Sequence, residues 1–154
     1  MADAVKHIPE GYHSVTPYLC VRGAAEAIEF YKKALGATEI ARMPDKDGRI
    51  GHAEIRIGDS HIMLADEYPE MDFRSPATLG GSGFMLYLYV ENADAVVDQA
   101  VAAGAKLVKP VQDQFYGDRN GQIEDPYGHT WYVSTHKEDV TPEEMEKRVA
   151  AYLG

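Results

Sequence analysis

The chain has 154 residues, 45% of them hydrophobic and 26% charged, with a formal net charge of −10. That size suits one compact domain, or two small halves sharing a core. The acidic balance excludes a nucleic-acid backbone or an anionic membrane surface as partner, because both need clustered Lys and Arg. No apolar run approaches the roughly 20 residues of a transmembrane helix. The start, MADAVKHIPEGYH, lacks an apolar signal core, and the single cysteine, Cys20, has no internal partner. The expectation is a cytoplasmic protein that engages neither nucleic acid nor membrane.

In chain order, residues 1–11 are expected to be a flexible N-terminus. Residues 12–67 read as a first module and 84–136 as a second, because YLCVRGAAEAIEFYKKALGA resembles YLYVENADAVVDQAVAAGA. Each copy reads as a strand, a turn, an amphipathic helix and a closing Gly-Ala. Ala24, Ala27, Ile28, Tyr31 and Leu35 share one helical face. Ala93, Val96, Val97, Ala100 and Val101 share the other's, and Gly36 and Gly104 supply C-terminal caps.

Three further strands follow each helix, near 38–43, 51–57 and 61–65, then near 106–111, 121–124 and 130–135. PDKDGR, GD and DPYG punctuate them as hairpin turns, and Asp118, Asn120 and Gly121 read as turn formers. The fold class is therefore α+β: two paired βαβββ modules forming a curved, incompletely closed mixed β-sheet barrel. Residues 68–83, rich in Gly, Pro and Ser, read as a linker. Residues 137–154 read as a C-terminal helix. It starts at Thr141-Pro142 with a reciprocal Glu144, and Met145, Val149, Tyr152 and Leu153 form its stripe.

Strand alternation divides each sheet into two faces. Leu19, Val21, Ala53, Ile55, Ile57, Ile62, Leu64, Trp131 and Val133 point to an aliphatic helix side. Tyr18, His52, Glu54, Arg56, His61, Met63, Met85, Tyr87, Tyr89 and Tyr132 point the other way. A lining half apolar and half hydrogen-bonding suits an organic-ligand pocket. A solvated face with scattered aromatics is the alternative.

His52, Glu54 and His61 could in principle form a two-His, one-carboxylate metal triad. A hydrogen-bonded polar cluster with Arg56 is the favoured reading. In DQFYGDRNGQIEDPYGHTWY, the aromatics and Arg119 read as shaping a pocket mouth or a hairpin. Glu124 is a candidate proton acceptor if it faces the cleft. His129 reads as capping the DPYG turn, and His7 and His136 as exposed.

With these residues in view, the chain resembles the vicinal oxygen chelate superfamily, which includes glyoxalase I, bleomycin-resistance proteins and extradiol dioxygenases. The segments YLCVRGAAEAIEFYKKALGA, GHAEIRIGDSHIMLADE, DQFYGDR and EDPYGHTWYVSTH resemble its PhnB-like branch. The resemblance implies homodimerisation and, in metal-dependent members, four His or Glu ligands. Carried onto this chain, those positions are Thr16, Met63, Met85 and Tyr132, none of them an imidazole or carboxylate.

The resulting expectation is a metal-free protein that binds a small organic molecule. Tyr18, Tyr87, Tyr89 and Tyr132 would stack on it, with His61, Met63, Met85 and Arg119 beside them. His52, Glu54 and Arg56 would supply orientation and charge. No cofactor is expected, and a divalent metal enters only through a non-standard site. The alternative is an isomerase, lyase or dioxygenase acting on a small carbonyl or phenolic substrate. Glu54 or Glu124 would be its base and His52 or His61 its acid.

Overall fold

A computed structural model describes residues 4–154. It comprises two compact units that divide between Gly80 and Gly81. In the first, β1 (Tyr18–Val21) leads through α1 (Ala24–Leu35) to β2 (Thr38–Pro44), β3 (Ile50–Ile57) and β4 (Ser60–Asp66). A 3₁₀ turn (Pro69–Met71) and α2 (Pro76–Leu79) follow. In the second, β5 (Met85–Tyr89) leads through α3 (Ala93–Ala103) to β6 (Lys106–Asp113), β7 (Asp118–Glu124) and β8 (Thr130–His136), and α4 (Pro142–Leu153) ends the chain.

The repeat seen in the sequence is thus a repeat of topology. The sheets run β1-β4-β3-β2 and β5-β8-β7-β6, with the first pair in each parallel and the rest antiparallel. The fold is α+β, built from two open, mixed four-stranded sheets.

The helix-side readings place the cores. In the first unit Leu19, Val21, Ala24, Ile28, Tyr31, Ala53, Ile55 and Leu64 are fully buried. Each large side chain among them contributes roughly 1.5–3 kcal/mol by leaving water. In the second, Ala93, Val97 and Ala100 of α3 pack with Ile123, Trp131 and Val133. The α3 stripe is narrower than expected, since Val101 is 40% exposed.

Helix α1 starts at Gly23, which has no capping side chain of its own. Asp66, at the end of β4, serves instead. Its Oδ1 accepts from Gly23 N and Ala24 N, each at 2.9 Å, and its Oδ2 from Ile50 N at 2.7 Å. One carboxylate thereby ties the helix N-terminus to two strands, in the place where the helix dipole favours negative charge.

Three hairpins share one turn. Asp45 N, Gln114 N and Asp125 N donate to the carbonyl four residues on, and Gly48, Gly117 and Gly128 N donate back to the first residue's carbonyl. All three glycines have positive φ, as a type I turn with a glycine bulge requires.

The structure corrects the reading of Asp118, Asn120 and Gly121 as turn formers: all three lie in β7. Asp118 and Asn120 are buried. At Gly121 a Cβ would meet Val111 Cγ2 at 2.9 Å and the Lys109 carbonyl at 3.1 Å. This glycine therefore serves close strand approach, opposite an irregularity in β6 that also admits Pro110 on the sheet edge.

The stretch read as a linker is also structured. Glu67 Oε1 accepts from Ser75 N, Ser75 Oγ and Thr78 Oγ1, and its Oε2 from Arg22 Nε. At the other end, Thr141 Oγ1 accepts from Glu144 N at 3.2 Å, as expected of the α4 cap. Glu144 does not reciprocate, because its carboxylate accepts from Arg148 Nε. Arg148 Nη1 also donates to the Phe115 carbonyl, and Tyr152 packs on the Phe115 ring. Within the flexible-terminus reading, residues 1–3 lie outside the described residues, and Tyr12 N closes a turn on the Pro9 carbonyl.

Candidate functional site

In the first unit, register brings the expected residues onto one sheet face. Tyr18 lies opposite Met63, Met63 opposite Glu54, and His61 opposite Arg56. A hydrogen-bonded chain crosses this face. Tyr12 Oη donates to Glu54 Oε2 at 2.5 Å, Glu54 Oε1 lies 3.2 Å from His52 Nε2, and His52 Nδ1 lies 2.7 Å from Tyr18 Oη. The Tyr12 ring stacks on His61 at a centroid distance of 4.0 Å. Arg56 is exposed and, among the described residues, has no ion-pair partner, so the cluster forms without it.

The electrostatics follow from those bonds. The Tyr12 hydroxyl, above all, and then His52 hold Glu54 below the usual carboxylate range, against the upward push of burial. Tyr12 is pushed up to about 12 by burial and by the Glu54 carboxylate it serves. Burial and the Glu54 charge also raise Tyr18. Glu54 is thus fixed as an ionised hydrogen-bond acceptor.

At the end of this chain lies a cleft of about 500 Å³, lined by Tyr18, Gly51, Ala65, Tyr68, Met71 and Phe73. The segment after β4 builds its wall. Tyr68 pairs with Phe73, its hydroxyl donates to Asp45 Oδ2 at 2.7 Å, and the Arg49 guanidinium lies over its ring. Phe73 meets Tyr18 edge-on at 5.9 Å. Sequence reasoning missed Tyr12, Tyr68, Met71 and Phe73. The available signal was their density of aromatic and sulfur side chains in segments otherwise polar enough to read as tail and linker.

In the second unit Met85, Tyr87 and Tyr89 alternate onto one face and are 55%, 43% and 59% exposed. Met85 lies opposite Thr130, Tyr87 opposite Tyr132, and Tyr89 opposite Ser134. The Tyr87 and Tyr132 rings stack at 5.5 Å, and Lys109 Nζ reaches Tyr132 Oη at 3.3 Å. Glu124 joins this face at its far end, opposite Thr130.

Beneath the tyrosines sits Asp118. Its Oδ2 accepts from Tyr87 Oη at 2.7 Å and Tyr89 Oη at 3.0 Å, and its Oδ1 lies 2.8 Å from His136 Nδ1. Asn120 Nδ2 donates to both Tyr87 Oη and Tyr116 Oη. This network also escaped the sequence, because its bonded pairs lie far apart, Tyr87 and Ser134 by 47 residues.

Arg119 stands apart from the tyrosines. As an odd member of β7 it points to the helix side, where Nε and Nη2 donate to Asp94 of α3 and Nη1 to Asp113. It pins α3 to the sheet and, through Asp113, spans the β6–β7 hairpin. His129 is buried, its backbone N–H donates to Asp125 Oδ1 at 2.9 Å, and its ring meets Phe84 edge-on. His136 is half-exposed but engaged at both ring nitrogens, by Asp118 and Asp139.

The metal implied by the resemblance does not fit these residues. Of the carried positions, Met63 is flanked by Tyr18 and Glu54, and Tyr132 is stacked on Tyr87; neither thioether nor phenol suits a borderline cation. Both ring nitrogens of His52 and both oxygens of Glu54 are engaged in the hydrogen-bonded chain. Among the described residues no group of three or more His, Cys, Asp or Glu is placed to hold an ion. No described helix is long and apolar enough to cross a membrane.

Known proteins share this arrangement of modules. Uncharacterized protein Rv0887c of Mycobacterium tuberculosis is 37% identical over 141 residues, spanning 90% of this chain and 83% of that protein. The X-ray structure of the Arabidopsis thaliana At5g48480 product superposes with a TM-score of 0.65 at 28% identity, covering 79% of this chain and 98% of that one. The PhnB protein of Bacillus cereus shares the fold, with a TM-score of 0.62 at 19% identity over 80% of this chain and 99% of that one. Residues 11–133, across both modules, match the model of one family. The chain belongs to the Glyoxalase/Bleomycin resistance protein/Dioxygenase superfamily.

Proposed function

We propose that this protein binds a small planar organic molecule in the cleft beside Tyr18, held by aromatic contact and hydrogen bonds rather than by a metal ion. The observation that carries the reading is the cleft itself: about 500 Å³, walled by Tyr18, Tyr68, Met71 and Phe73. Pockets of that size and lining are the usual sites for organic ligands. In the second unit Met85, Tyr87, Tyr89 and Tyr132 form an aromatic surface of their own, a further place for a planar molecule to stack. The same proposal takes the protein to be a cytoplasmic homodimer, which sedimentation velocity tests.

An isomerase, lyase or dioxygenase would need a proton acceptor poised near neutral pH. Glu54 is held ionised by Tyr12 and His52, which makes it a weak base. That feature counts against Glu54 as the base and leaves Glu124 as the proton acceptor of the enzymatic reading.

A thermal-shift screen against planar aromatic compounds tests the reading, because a ligand of the native state alone raises its stability. At least one compound is expected to raise Tm in the wild type and to lose that effect in Phe73→Ala. A screen with no shift, or shifts unchanged in Phe73→Ala, overturns it. Elemental analysis of protein prepared without chelator or metal resin tests the metal-free part. A stoichiometric transition metal that His52→Ala removes would refute it.

A further inference from the structure

We infer that the Glu54–His52 pair sets the hydrogen-bond polarity of Tyr18, so that the cleft selects planar ligands carrying a donor, a phenol or an aromatic N–H, over ligands carrying only an acceptor. This rests on the cleft reading above and adds the ligand's chemistry to it.

The chain of reasoning starts at Glu54. Its Oε2 is taken by the Tyr12 hydroxyl and its Oε1 faces His52 Nε2 at 3.2 Å. An ionised carboxylate can only accept, so His52 Nε2 must carry the proton of this contact. In the neutral imidazole the other nitrogen, Nδ1, is then an acceptor. Tyr18 Oη lies 2.7 Å from Nδ1, so the Tyr18 hydroxyl donates inward, to the histidine. A tyrosine hydroxyl has one proton. With that proton committed, its oxygen offers a cleft ligand only lone pairs.

Position agrees with this assignment. Tyr18 is the member of the chain that lines the cleft, and its ring is held edge-on against Phe73. The other lining side chains are apolar except Tyr68, whose own hydroxyl proton is given to Asp45. Both phenols of the cleft are thus turned by carboxylates, one directly and one through an imidazole, to face a ligand as acceptors. A ligand donor finds two partners, whereas a lone ligand carbonyl finds none and loses its hydration on entry.

Three matched probes test the inference: 2-naphthol, which donates and accepts; 2-methoxynaphthalene, which cannot donate; and 2-acetonaphthone, which accepts only. Affinities are measured by titration calorimetry in one mildly alkaline buffer. In the wild type 2-naphthol is expected to bind about five- to tenfold more tightly than either other probe, the factor one net hydrogen bond supplies. Tyr18→Phe, which keeps the ring, is expected to cut that advantage at least twofold while leaving the methoxy probe unaffected.

Glu54→Gln is the sharper test. Tyr12 donates to the amide oxygen, so the amide N–H turns to His52 Nε2, forces the proton to Nδ1 and releases the Tyr18 hydroxyl toward the cleft. The preference should then shift toward 2-acetonaphthone. Circular dichroism confirms that both variants are folded, and Phe73→Ala should weaken all three probes. Equal wild-type affinities, or a selectivity untouched by both Tyr18→Phe and Glu54→Gln, overturn the polarity inference while leaving the cleft reading intact. No binding of any probe overturns both.

Discussion

Asp118 and His136 stand directly opposite each other across β7 and β8, with Oδ1 and Nδ1 2.8 Å apart. The pair ties the pH dependence of stability to the second unit. Asp118 first, and then Asp139, hold His136 above the usual imidazole value. A group raised on folding stabilises fully below its unfolded pKa and loses that contribution as pH rises through the folded one.

For Asp118, burial pushes the carboxyl up, but hydrogen bonds from His136, Tyr87 and Tyr89 outweigh it and leave the group below its ordinary value. Its contribution is complete above the unfolded pKa and is lost as pH falls through the folded one. The pair therefore stabilises most between about pH 4 and about pH 6.5. Urea unfolding of wild type and His136→Asn should give free energies that converge as pH rises from about 6.5 toward about 9. Curves that stay parallel over that range would show that the pair carries no proton linkage.

Glu67 makes the opposite prediction, on the acid side. Thr78 Oγ1 above all, then Ser75 N, hold its carboxyl near a pKa of about 2. Being lowered on folding, it stabilises above its unfolded value and loses that stabilisation as pH falls from about 4.5 through about 2. In Glu67→Gln an amide N–H must face one of the four donors, at a cost of about 1–3 kcal/mol near neutrality. Acid titration of both proteins by circular dichroism should show that difference shrinking toward low pH. A difference constant from neutrality to about pH 2.5 contradicts the assignment.

These hubs mark where the sequence stopped being legible. Topology could be read because it rests on local signals: helical spacing in AIEFYKKAL, alternation in HAEIRI, and Gly-Ala at both helix ends. The aliphatic sheet faces followed from the same alternation, and they are the buried ones. Asp66, Glu67 and Asp118 look alike in a sequence, as carboxylates beside turns. Their roles are fixed by Ala24, Arg22 and Tyr87, which lie 42, 45 and 31 residues away. Arg119 shows the same limit: its bonds to Asp94 of α3 join residues 25 apart, and its helix-side position depends on where β7 begins. The cleft-side tyrosines could be placed on a face, but the bond from Tyr18 to His52 joins residues 34 apart.

Asp125 is a hub of shorter range. Its Oδ1 accepts from Tyr127 N and His129 N, and its Oδ2 from Trp131 Nε1, each at 2.9 Å. Asp125 and Trp131 are both buried, so Asp125→Ala deprives three donors at once and should cost about 2–4 kcal/mol. Asp125→Asn can keep the turn bonds through its carbonyl oxygen while turning an amide N–H toward the indole, and should cost less. Trp131 is the single tryptophan, so its emission reports the site directly. A shift in emission is expected in both variants, with the larger loss of stability in the alanine variant. Equal stability of the three proteins would mean that the DPYG turn does not depend on this carboxylate.

Gly48 and Gly117 occupy equivalent positions in matching turns, with φ of +87° and +101°. An alanine at either pays for the left-handed conformation, about 1–2 kcal/mol. At Gly48 nothing lies within 4 Å of the added Cβ. At Gly117 the Cβ would overlap the carbonyl oxygen of Glu138, and backbone cannot swing aside as a side-chain tip can. The Gly117 carbonyl also accepts from Lys137 N and Glu138 N, which hold the segment leading into α4. Gly117→Ala should therefore cost more than Gly48→Ala by at least about 1 kcal/mol. It should also speed amide exchange along α4, whose Arg148 and Tyr152 rest on Phe115 in the same turn. Denaturant midpoints and hydrogen exchange of the two variants measure both effects. Equal costs, or an α4 as protected in Gly117→Ala as in Gly48→Ala, would show that the turn yields without disturbing the helix it anchors.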